Sequence, residues 1–125
     1  VLASILSKAG RYEEALTQAG LALESDRKVE NGPGMAKDLA ALGTILQKME
    51  RRQEAFDYWR RSFDTALASN MPEDVHKALE ALVTLAKELG RDGDAARYAA
   101  LLAKLEASMG APSGQATGAP AGAGK

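Results

Sequence analysis

Apolar residues recur along this chain at the three- and four-residue steps of a helix face. Leu39, Leu42, Ile45, Leu46 and Met49 share one such face. Phe56, Trp59 and Phe63 mark a second helix. Val75, Leu79, Leu82, Val83 and Leu85 mark a third, and Tyr98, Ala99, Leu102 and Leu105 a fourth. Punctuation falls between the stripes. Asn31-Gly32-Pro33-Gly34 is expected to interrupt the helix, because Gly costs backbone entropy and Pro lacks a donor. Pro72 suits the first turn of a new helix, where Glu73 and Asp74 complement the dipole.

The pattern repeats. Gly10-Arg11-Tyr12-Glu13-Glu14-Ala15-Leu16, Glu50-Arg51-Arg52-Gln53-Glu54-Ala55-Phe56 and Gly90-Arg91-Asp92-Gly93-Asp94-Ala95-Ala96 align at a 40-residue spacing. Leu2, Leu42 and Leu82 fall in the same register, as do Leu6, Leu46 and Ala86. Each unit reads as helix, short turn, helix. Gly10 and Gly90 stand where a left-handed residue ends the first helix. Glu50 stands there in the middle unit, so that turn is expected to be made differently. Ala15, Ala55 and Ala95, with Gly43, allow backbones to approach to roughly 8–10 Å.

The expected fold is therefore all-α, about six helices in three antiparallel helix-turn-helix units over residues 1–107. Val1–Leu6 already reads as helix interior, so the first unit is expected to be truncated and the chain to be a piece of a longer protein. From about Ser108 the composition changes, and Ala111 through Lys125 is Gly, Ala, Pro and small polar residues, which cannot repay the entropy of folding. Residues 108–125 are expected to be a flexible tail.

Composition narrows the function. Of 125 residues, 16 are Lys or Arg and 17 Asp or Glu, a net charge of −1. No general basic field exists to drive nucleic-acid binding. The chain has no cysteine, which removes disulfides, thiol nucleophiles and cysteine-based zinc sites. No apolar run approaches the length of a membrane span.

The turn Gly10-Arg11-Tyr12-Glu13-Glu14-Ala15-Leu16, the Leu42-Gly43 pair, the early Ala15, Ala55 and Ala95, and Trp59 one turn on resemble the tetratricopeptide repeat family. The likeness covers residues 1–107 and is to a variant with an extended, 40-residue repeat, the usual period being 34. HEAT-type repeats share such a period, but the turn motif favours the tetratricopeptide reading. Arg52 and Asp92 replace the turn tyrosine of Tyr12, and Ala19 and Ala99 replace the aromatic of Trp59. The resemblance implies a right-handed superhelix whose concave groove is lined by the first helix of each unit. It further implies a non-catalytic scaffold or adaptor that binds a peptide or protein.

Carried onto this sequence, the groove positions are Ser4 and Lys8, then Lys37, Ala40, Thr44, Gln47 and Lys48, then Lys77, Glu80, Thr84, Lys87 and Glu88. The lysines suit a partner with acidic groups. One subset of the family clamps the terminal carboxylate of chaperones with Lys, Asn and Arg. Ser4, Ala41 and Ala81 occupy the Asn and Arg places here and only Lys77 fits, which argues against a clamp. A second candidate surface holds Tyr58 and Tyr98, on the convex side, since Tyr is favoured at interfaces. A third holds Leu101 and Leu105 on the last helix, near 92–107, where an uncapped terminal unit leaves an apolar face for a partner or a second copy. Self-assembly into a homo-oligomer is thus the alternative to partner binding.

No constellation for catalysis, cofactor or metal emerges. His76 is the only histidine. Glu13-Glu14 and Glu73-Asp74 are adjacent and would diverge on a helix. Gly122-Ala123-Gly124-Lys125 lacks the spacing of a phosphate loop. A cytoplasmic protein is expected, and the Ala, Gly and Arg bias points to a bacterial source.

Overall fold

A computed structural model describes residues 2–109, and side chains from Gly10 onward. These residues form five helices: α1 (Leu2–Lys28), α2 (Gly32–Lys48), α3 (Arg52–Ala68), α4 (Pro72–Glu88) and α5 (Asp92–Ser108). Each packs on its chain neighbours, and α2 also meets α4. The result is an all-α stack of antiparallel pairs, α2 with α3 and α4 with α5, preceded by α1. The expected tail from residue 110 onward lies outside the described residues.

The repeat is more regular than the sequence suggests. The last four helices each hold 17 residues and begin at positions 32, 52, 72 and 92. Three-residue linkers of one geometry join all five helices. The left-handed position falls at Glu30, Glu50, Asn70 and Gly90, with φ of 55°, 61°, 60° and 75°. In each linker the next residue donates its amide five residues back along the chain: Asn31 to Asp26, Arg51 to Leu46, Met71 to Ala66 and Arg91 to Ala86, at 2.7–2.9 Å. That is the Schellman arrangement, which satisfies carbonyls left over at the helix end. The same residue then caps the next helix through its carbonyl, as Arg51 does for the Ala55 amide at 3.0 Å. One residue serving both helices is why the linkers are so short.

Three expectations about turns are corrected. The Glu50 turn is made as the Gly90 turn is, with a non-glycine residue held at positive φ. Gly10 makes no turn: α1 runs through it, which is why five helices appear rather than about six. Interior glycine costs a helix only about 1 kcal/mol. Third, the interruption expected at Asn31–Gly34 is confined to Val29–Asn31. Gly32, Pro33 and Gly34 form the first turn of α2, where Asn31 caps the Gly34 amide at 3.1 Å.

The core runs along the seam between the helix pairs. Phe56, Leu39, Leu46, Leu79, Leu82 and Leu85 are fully buried, each stabilising the fold by roughly 1.5–3 kcal/mol relative to exposure. Ala36, Ala55, Ala66, Ala78 and Ala86 are 0% exposed, so small residues set the close helix approach. Ser62 is the one polar residue among the buried ones described, and its hydroxyl donates to the Ala36 carbonyl at 2.9 Å, linking α3 to α2.

Candidate partner-binding groove

α2 and α4, the first helices of their pairs, lie side by side, with Trp59 of α3 behind the seam. Gly43 makes room for that indole: a Cβ at position 43 would lie 2.7 Å from Trp59 Cδ1 and Nε1. The indole N–H donates to Gln47 Oε1 at 2.7 Å, so the ring's polar edge is satisfied at the groove surface. Two hollows of about 320 and 330 Å³ sit here, and Thr44, Trp59 and Lys77 border both. The first is completed by Lys37, Ala40, Ala41 and Asp74. The second is completed by Gln47, Glu80, Ala81 and Thr84. Together they make one trough with a floor of alanine and indole and a rim of charges and hydroxyls.

The two rim lysines are unequal. Lys37 Nζ reaches across to Asp74 Oδ2 at 3.2 Å, which ties α2 to α4. Lys77, in the middle of the trough, has no carboxylate within 4.0 Å among the described residues. Thr44 spends its hydroxyl proton on the Ala40 carbonyl at 2.9 Å and retains lone pairs toward the trough. Gln47 uses its oxygen on Trp59 and keeps its NH₂ for another acceptor.

The sequence placed Lys37, Ala40, Thr44, Gln47, Lys77, Glu80 and Thr84 at the groove, and they do line one trough. Lys48 and Lys87 are exposed but line neither hollow. Glu88 is occupied by Arg52 at 3.2 Å, an α3–α4 pair. Ser4 and Lys8 lie outside the described side chains. Trp59 and Asp74 were missed as lining residues. The signal was available in Gly43: a glycine inside an apolar helix face often marks the close approach of something large.

A Leu-Gly step in the first helix of the pair is thus packed against an aromatic of the second. The sequence also matches the tetratricopeptide repeat family over residues 1–68, more than half its length. The chain belongs to the tetratricopeptide repeat family. No curated protein and no solved structure matches it. Tetratricopeptide repeats are in general scaffolds for protein interaction.

The other candidate surfaces of this tetratricopeptide stack fare differently. Tyr98 is not on a convex face. It is buried at 7% exposure, edge-on to Phe56 and Phe63 at centroid distances of 6.2 and 6.3 Å. Those contacts join α5 to α3 across an intervening helix, which no local pattern reveals. Tyr58 is half-buried under the Arg61 guanidinium, 5.2 Å from its ring centroid. Leu105 is half-buried against the core, whereas Leu101 stays 39% exposed.

His76 is half-buried rather than on the open surface. Its Nε2 lies 3.0 Å from Glu106 Oε2 of α5 and its Nδ1 3.7 Å from Glu80 Oε1. The two nitrogens point to separate carboxylates, and no group suited to a metal ion forms among the described residues. No helix among them is long and apolar enough to cross a membrane.

Proposed function

We propose that this chain is a non-catalytic scaffold or adaptor segment that holds a peptide or protein partner in the α2–α4 trough. The observation that carries the reading is Lys77: a cation without a carboxylate partner, set between the Trp59 floor and the Thr44 hydroxyl. A partner side chain that is acidic would pair with Lys77 at little desolvation cost, while an apolar neighbour would rest on Trp59, Ala41 and Ala81. Lys37, Gln47, Glu80 and Thr84 would orient it, with Lys48 and Lys87 steering from the periphery. A cytoplasmic, bacterial setting fits the composition.

The test compares partner capture by the wild type and by Lys77→Glu, alone and with Lys37→Glu. Lys77 is exposed, so the charge reversal leaves the fold intact. Loss of the captured protein with Lys77→Glu supports the trough. Equal capture by all three sinks it.

A second reading is self-assembly through the terminal helix. Leu101 and Met109 of that end are 39% and 42% exposed, which leaves apolar surface for another copy. Sedimentation of wild type and Leu101→Ser decides: a concentration-dependent oligomer lost in the variant supports assembly, and a monomer throughout excludes it.

A further inference from the structure

Asp26, in the last turns of α1, sets its carboxyl against Gly34, one turn before Asp38 on α2, and so faces the Asp38 carboxyl. Asp38 Oδ2 is buried and meets no N–H or O–H donor. Two carboxylates only accept, so the contact can bond only when one of them carries a proton. Asp26 is fixed in place: Asn31 Nδ2 donates to its Oδ1 at 3.2 Å. A Cβ at Gly34 would come within 2.6 Å of its Oδ2, so the carboxyl lies at the N-terminal end of α2, where negative charge is favoured. Asp38 is therefore the natural carrier of the proton.

We propose that Asp26 and Asp38 form a proton-operated latch that holds the C-terminal half of α1 on α2 and loosens it when both carboxyls ionise. Burial, then the bond to Asp26 and its charge, raise the Asp38 pKa to about 6. Other charges do not offset the pair. On α1, Arg27 is engaged by Glu24 at 2.7 Å. On α2, Lys37 reaches away to Asp74. No charged group of α3 acts on Asp38. The folded form binds more protons than the unfolded chain between the ordinary aspartate value and about 6. Docking is therefore strongest below that window and weakens as pH rises through it. Loosening uncovers the apolar contact of Leu16 with the core.

Amide hydrogen exchange of the whole chain at pH 5 and 7.5, corrected for intrinsic rates, tests the latch. Protection of residues 22–29 relative to α4 should fall by roughly tenfold on going to pH 7.5. In Asp38→Asn, whose amide donates to Asp26 at either pH, it should hold its pH 5 value. No fall in the wild type, or an equal fall in the variant, overturns the latch. The Asp38 carboxyl, followed by carbon NMR in the wild type, gives an independent reading. A midpoint near 6 supports the latch, and one near the ordinary aspartate value overturns it.

Discussion

Trp59 on α3 donates its indole N–H to the Gln47 side chain on α2 at 2.7 Å, across the space that Gly43 leaves empty. The floor of the trough and the α2–α3 packing are thus one feature. Its failure should be visible in both stability and binding.

Gly43→Ala should destabilise the chain by about 1–3 kcal/mol, the usual cost of overpacking, although alanine is the better helix former by about 1 kcal/mol. The new methyl would press on a buried ring rather than on the end of a flexible side chain. Urea unfolding followed by the emission of Trp59, the chain's one tryptophan, reads the loss. A red-shifted native spectrum would accompany it.

Glu50→Gly and Gly90→Glu should move stability in opposite directions. Both positions are held at positive φ, 61° and 75°, and a Cβ at Gly90 meets nothing within 4 Å. Only backbone preference is at stake. The first change should stabilise by roughly 0.5–1 kcal/mol and the second destabilise by about 1 kcal/mol. Thermal melts of the two variants against the wild type check the pair.

Tyr98→Ala should cost about 3–5 kcal/mol, because it empties a buried site between Phe56 and Phe63. Leu101→Ser, three residues along the same helix but exposed, should stay within about 0.5 kcal/mol. Chemical denaturation separates the two, and equal effects would contradict the placement of Tyr98 in the core.

Ser62→Ala should cost about 1 kcal/mol through loss of its bond to the Ala36 carbonyl. Ser62→Leu should cost more, since the site between α2 and α3 has no room for the added volume. The difference between these two variants, measured by urea unfolding, isolates the packing contribution.

Periodicity determined the apolar faces of α2 to α5, because a buried face must recur at the helix repeat. The 40-residue alignment determined the pairing of α2 with α3 and of α4 with α5. The alanines at 55 and 95 and the glycine at 43 were legible as sites of close approach, since nothing larger fits between packed backbones. What tertiary structure decided was how each local signal was used. Glu30 and Glu50 take a conformation that favours glycine because the packed helices on either side leave three residues to reverse the chain. Gly10, with the stronger local signal, stays helical. Tyr98 turned inward because Phe56 and Phe63 come from a helix some forty residues earlier in the sequence. Trp59 became the floor of the trough, and Asp38 found a carboxyl instead of a donor, through contacts between different helices. A pattern along the chain fixes which face of a helix is apolar. Only the placement of the other helices fixes what that face, and its polar borders, will meet.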